Sequence, residues 1–298
     1  LADFVGEYFS LERLLLHIEP FWIATALHKI MVVGVAYWGA YLLCRRGVRL
    51  ARWPASALAA FYSVSLYFFH QLTWVSGISY GLIAVAVYVA VFRRDKKYYY
   101  VTLVAIGIAF SLSNLVLHSY VALLPALFLA AACFGIRHTL KMIPVAGIFM
   151  ITMALNWHET IYGILSFVPI TIRGAQNIQS MAPLDFLMSD IKNFVIDDKS
   201  FREFFLFTLV TLLVLSTKKS LRFGVIIIGM IVLVGVAKTA PWSAIGLAPL
   251  HNFNFSYALD ALLPICLIAS AHCLATRWST QSGDANQFGV TPKAAIFT

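Results

Sequence analysis

Residues 157–202, WHETIYGILSFVPITIRGAQNIQSMAPLDFLMSDIKNFVIDDKSFR, are the one long polar interruption in a chain otherwise built from apolar runs. On either side the composition is that of a membrane protein. Over 298 residues, 61% are hydrophobic and 12% charged, and the mean hydropathy is +0.83. That is too apolar for a soluble fold and predicts an all-α, polytopic transmembrane bundle. A spanning helix needs about 20 mostly apolar residues. Stretches that meet this run over 21–43, 54–72, 76–92, 98–117, 119–136, 142–157, 203–217, 221–239 and 255–275. They predict nine visible spans in one transmembrane domain, 1–276, followed by a polar tail, 277–298, expected to be disordered in the cytoplasm.

Charge sets the expected orientation, because Lys and Arg accumulate in cytoplasmic loops. Arg45, Arg46, Arg49 and Arg52 fall between the first two spans; Arg93, Arg94, Lys96 and Lys97 follow the third. Arg137 and Lys141, then Lys218, Lys219 and Arg222, then Arg277 and Lys293 continue the alternation. Most acids fall in the other set of segments: Asp3, Glu7, Glu12, Glu19, Glu159, Asp185, Asp190, Asp197, Asp198 and Glu203. The net charge of +9 therefore marks a face that meets anionic lipid headgroups and gives no reason to invoke nucleic acid. The same topology puts the first residue on the outer side, so a further helix is expected upstream of it. Cys44, Cys133, Cys266 and Cys273 have no CxxC or Cys/His metal spacing and read as small packing residues.

The outer side carries the candidate chemistry. Residues 1–20 form an amphipathic segment with Phe4, Tyr8, Leu11, Leu14, Leu15 and Ile18 at helical spacing. In the outer loop 157–202, TIYGILSFVPITI is too short to cross and suits a re-entrant or interfacial helix. PLDFLMSDIKNFVIDD reads as a second, amphipathic helix. A second outer loop, 238–254, brings Lys238 and His251. Within spans, His28 and Lys29 near the start of the first and Asp260 near the start of the last stand in positions where ionised groups are costly. Each has a structural alternative: snorkelling for Lys29, and an ion pair with Lys29 or Lys238 for Asp260. Ser113, Asn114, His118 and Ser119 either line an internal cleft or hydrogen-bond a neighbouring helix.

No GxSxG, HExxH, GxxxxGK[ST] or GxGxxG pattern occurs in a fitting context, which excludes ATP-driven and dinucleotide chemistry. Six of the eight histidines, His17, His28, His70, His118, His158 and His251, fall at or near the outer side with most of the acids. Carboxylates that take a proton from a hydroxyl, beside Arg or Lys that hold a phosphate, suit transfer from a lipid-linked donor. An amphipathic acidic segment before the first visible span, many apolar helices and a later long outer segment resemble the multi-pass glycosyltransferases of the GT-C fold. The layout is also similar to the YfhO-like bacterial membrane proteins.

That resemblance implies a sugar transferase of the bacterial inner membrane, acting on a cell-envelope glycan or lipid acceptor and taking its sugar from a polyprenyl-phosphate carrier. It implies Asp3 or Glu7 as the base and Arg173 and Lys238 as holders of the donor phosphate. His158, Glu159, His251 and Asp260 would position the acceptor or an ion. No cofactor is identified, although a divalent cation is compatible with these carboxylates. The competing classes are a carrier or flippase of a lipid-linked saccharide, a membrane O-acyltransferase using His118, and a structural membrane subunit.

Overall fold

A computed structural model describes residues 14, 15, 17–69, 78–94, 96–113, 116–167, 199–215, 218–239 and 255–281. Among them the regular structure is helical, with no strand. α1 is Phe21–Leu42, extended by a π-helical turn at Leu43–Gly47; α2 is Arg52–Phe69, α3 Ile78–Phe92 and α4 Tyr99–Ser111. α5 is Val116–Ala132, α6 the short Ile136–Leu140 and α7 Met142–Phe167. α8 is Lys199–Val214 and α9 Lys218–Thr239, after which a 3-10 turn, Phe255–Ala261, leads into α10, Leu262–Gln281. The helices fall on the apolar runs. Phe21–Gly47, Ile136–His158 and Ala258–Thr276 are long and apolar enough to cross a membrane; Ile78–Phe92, Tyr99–Ser111, Tyr120–Ala132, Phe204–Val214 and Leu221–Val234 are shorter apolar helices.

Among the described helices, two occupy the interior. Over Ala258–Thr276, the end of the 3-10 turn and most of α10, 83% of the most apolar window is buried, against 39% for Phe21–Gly47 and 28% for Ile136–His158. α10 touches α2, α3, α5, α8 and α9. α3 is buried at Ile78–Gly81, Ile83, Ala84 and Ala86–Ala90, and it packs on α1, α4 and α5. Both are apolar on all faces, as a helix enclosed by other helices must be.

The outer helices instead carry apolar stripes on their exposed faces. Leu221, Val225, Ile228, Val232 and Val236 on α9, and Ile143, Met150, Ile151 and Leu155 on α7, are exposed. Stripes of this extent fit a lipid surround far better than water.

The tightest helix pair is α1 with α3. Ala24, His28, Val32, Ala36 and Ala40 form a buried ridge at intervals of four residues on α1, with Gly39 beside it. Small residues at such spacing let backbones approach, and dispersion between them replaces the hydrophobic drive that lipid cannot supply. A Cβ on Gly39 would lie 2.7 Å from the backbone nitrogen of Val85, and one on Gly81 would lie 2.7 Å from the carbonyl oxygen of Val32.

The basic turns meet at one end of the bundle. A Cβ on Gly47 would touch the Phe92 ring at 3.0 Å, and the Phe92 ring meets that of Phe134 edge-on at 5.1 Å. Arg222 lies within electrostatic reach of Cys133, and the ring of Phe223 is 5.7 Å from that of His272. These contacts link the turns after α1, α3, α5 and α8 to the middle of α10. The basic turns after α1, α3, α5 and α8, expected to share one side, thus lie together among the described residues.

One expectation changes. α7 does not stop at Trp157 but continues to Phe167 across a break in which Trp157 takes φ −118° and ψ 16°. The interfacial helix expected after residue 157 begins as a bent continuation of the span. Its later part, the second amphipathic helix over 183–198, the segment 1–13, most of the loop 238–254 and the tail 282–298 lie outside the described residues.

Gly39→Leu and Gly81→Leu are each expected to lower stability by about 1–3 kcal/mol through overpacking. Gly34→Ala, where a Cβ meets nothing within 4 Å, is expected to leave it unchanged or raise it. Thermal unfolding of the purified chain in detergent checks this, and parental stability in Gly81→Leu would contradict the backbone-to-backbone packing.

Candidate functional site

The end of the bundle opposite the basic turns is held by polar side chains. Ser111 closes α4, where a helix leaves its last carbonyls without intrahelical partners. The Ser111 carbonyl accepts from Asn156 Nδ2 at 2.6 Å and from Trp157 Nε1 at 2.8 Å. The two donors come from the break in α7, so the bend and the end of α4 stabilise each other. Ser113 Oγ accepts the backbone N–H of Ser79 at 3.2 Å, tying α4 to the first turn of α3. One turn deeper, the hydroxyls of Tyr120 and Thr152 are 3.4 Å apart, and Thr152 Oγ1 donates to the Phe149 carbonyl at 2.8 Å. Of the two expectations for Ser113, the neighbouring-helix hydrogen bond is the one observed.

At the same end the chain enters the central helix. The 3-10 turn packs against α5 and α9, and its Asp260 is 2% exposed. Asp260 stands two residues before Leu262, the start of α10. There the positive end of the helix dipole favours a negative charge. Pro264, whose missing N–H costs nothing in a first turn, suits this start. The buried Tyr62 of α2 lies within electrostatic reach of Asp260. Its ring is held edge-on by Phe204 of α8 at 6.0 Å, and Phe61 meets Phe204 and Phe207 at 5.1 and 5.5 Å. A second tie, Ser270 Oγ donating to Thr208 Oγ1 at 3.1 Å, fixes α10 against α8. Asp260 is therefore a carboxyl group buried inside the bundle, with a phenol within electrostatic reach. Such a group can hold a cation, orient a hydroxyl or accept a proton.

The other expected site residues are distributed as follows. His158 is exposed on the bent part of α7, and no described contact joins it to Asp260. Glu159 and Lys238 occupy helical positions in α7 and α9. Asp3, Glu7, Arg173 and His251 lie outside the described residues. His28 is buried on the inner ridge of α1 and Lys29 is half-buried beside it. Among the described residues no group of three or more His, Cys, Asp and Glu is placed to share a metal. Tyr62 carries no sequence signal: in AFYSVSLYFF it is one aromatic among several.

Replacing both donors, Asn156→Leu with Trp157→Phe, is expected to cost about 1–3 kcal/mol by leaving the Ser111 carbonyl without these partners. Either change alone should cost less. A double-mutant cycle by denaturant unfolding measures this, and strict additivity of the two would argue against a shared acceptor. Comparison with known proteins finds no matching family model, no matching characterised protein and no matching solved structure.

Proposed function

We propose that the chain is a membrane glycosyltransferase of GT-C type, with its helices as nine spans and its basic end in the cytoplasm. It moves a sugar from a polyprenyl-phosphate donor to a cell-envelope acceptor at the opposite, outer end. The observation that carries this reading is Asp260, a carboxylate buried at the outer entrance of the central helix. A charge kept inside an apolar bundle is costly unless the site uses it. The expected orientation of the basic turns supports the same assignment of ends.

In the reaction an acceptor hydroxyl oxygen forms a bond to the anomeric carbon of the sugar. The bond from that carbon to the phosphate oxygen breaks, and polyprenyl phosphate leaves with the electron pair. The hydroxyl proton passes to Asp3 or Glu7. Arg173 and Lys238 hold the phosphate, and His158, Glu159, His251 and Asp260 position the acceptor or an ion. Packed aromatics fix Tyr62 near Asp260, which matters because small misplacements of a positioning group are expensive in rate.

The test is transfer of labelled sugar from a polyprenyl-phosphate donor in membranes containing the full chain. Asp3→Asn with Glu7→Gln is expected to lower the rate by about 10²–10⁴-fold. Asp260→Asn is expected to lower it by about a hundredfold, while Ser63→Ala, outside this set, leaves it unchanged. Undiminished transfer in both carboxylate variants would refute the assignment. Label that crosses the membrane while still attached to its carrier would favour the flippase instead.

A further inference from the structure

The strongest unassigned feature lies at the basic end, away from the proposed transfer site. A cleft of about 210 Å³ opens where the end of α1, the end of α3 and the start of α4 meet. Arg46, Arg93 and Lys96 line it together with Tyr98, Tyr99 and Thr102, over a floor of Leu42, Tyr88 and Val89. No acid is among the described residues that line it; Asp95, in the same turn, lies outside them.

The floor is rigid. Tyr99 is buried and its hydroxyl donates to the Ala90 carbonyl at 3.0 Å. Tyr88 is buried against Phe92, with ring centroids 6.4 Å apart. At the rim, Lys97 Nζ sits 5.5 Å above the Tyr98 ring, adding a further cation beside the opening.

A second groove, of about 460 Å³, continues from the first through Leu42 and Arg46 along α1, where Trp38, Tyr41 and Arg45 line it. Trp38 is 57% exposed and Val101, on the α4 side, is 68% exposed. The chemistry therefore changes within a few residues. Cations converge at the end of the helices, and bare aromatic and aliphatic surface runs away from them along the bundle.

We infer that the Arg46–Arg93–Lys96 cleft binds the headgroup phosphate of an anionic phospholipid, whose tails lie along the exposed surfaces of α1 and α4. Guanidinium groups take phosphate oxygens in paired hydrogen bonds, and an ammonium adds a point charge. Basic pockets between membrane helices suit such headgroups. A Trp and Tyr rim belongs at the same depth, where an amphipathic ring meets both headgroup and chain. A free phosphate ester would use the same cations but would gain nothing from the apolar groove. Thr102 does not compete for the role, because its Oγ1 already donates to the Tyr98 carbonyl at 2.8 Å.

The experiment measures lipid binding to the full chain in detergent by native mass spectrometry and by lipid-dependent thermal stability. The probes are phosphatidylglycerol, cardiolipin, phosphatidylcholine and glycerol 3-phosphate. The two anionic lipids are expected to bind more tightly than phosphatidylcholine and to raise the unfolding temperature. Arg46→Gln with Arg93→Gln and Lys96→Gln is expected to weaken that binding by about a hundredfold. A control removes the same charge elsewhere at this end, Arg49→Gln with Arg52→Gln and Arg137→Gln, and should weaken it by less than about tenfold. Should the triple variant unfold, the single Lys96→Gln, on an exposed turn, carries the comparison. Equal loss in variant and control would reduce the effect to surface charge and overturn the site. Equal binding of phosphatidylcholine would overturn it too, and binding of glycerol 3-phosphate as tight as that of the lipids would overturn the lipid assignment.

Discussion

The enclosure of α10 is the constraint on which the rest of the bundle depends. A helix buried over most of its length must find partners on all sides, and α2, α3, α5, α8 and α9 supply them. Its side chains suit that place. Cys266, Ala269, Ser270, Ala271 and Cys273 are small enough to admit neighbours closely. Lipid is as apolar as leucine, so association here depends on dispersion and on a few internal hydrogen bonds rather than on water release. The Ser270–Thr208 bond and the edge-on cluster of Phe61, Phe204 and Phe207 are of that kind. The four cysteines are buried packing residues in the same sense.

The two ends of the bundle are built by different physics. At one end the turns are short and basic, and the Phe92 ring, close to the backbone of Gly47 and edge-on to Phe134, packs them together. At the other, carbonyls at helix ends are satisfied by side chains from neighbouring helices, as Asn156 and Trp157 do for Ser111. The first arrangement collects positive charge in a shallow cleft; the second leaves a carboxylate inside. A bundle with these two ends can address an anionic surface on one side and hold a buried acid on the other. The bend at Trp157 belongs to the second end, since it aims the continuation of α7 away from the axis of its own span.

Much of this was legible in the order of the residues. Apolar runs predicted the helices, and alternation of basic and acidic segments predicted that Arg45–Arg52, Arg93–Lys97, Arg137–Lys141 and Lys218–Arg222 would share one end. Asp260 stood out because a carboxylate inside an apolar run is rare. The continuation of α7 past Trp157 was not legible. WHET is polar enough to end a span, and only the bonds to Ser111 explain why the chain bends there and stays helical. Tyr62 was equally silent, because an aromatic in an apolar run reads the same whether it faces lipid or a buried acid.

Hydropathy separates membrane from water but cannot separate lipid-facing from protein-facing residues, since both are apolar. The residues alone therefore decided that the chain is helical, where its helices lie and that its basic turns alternate with its spans. Which helices are interior, α3 and α10, was decided by tertiary packing, through small residues whose value appears only when another backbone lies against them. The same holds for the cleft at the basic end. Arg46 comes from the turn after α1 and Arg93 and Lys96 from the turn after α3, and only the approach of α1, α3 and α4 turns three solvated charges into one concave site.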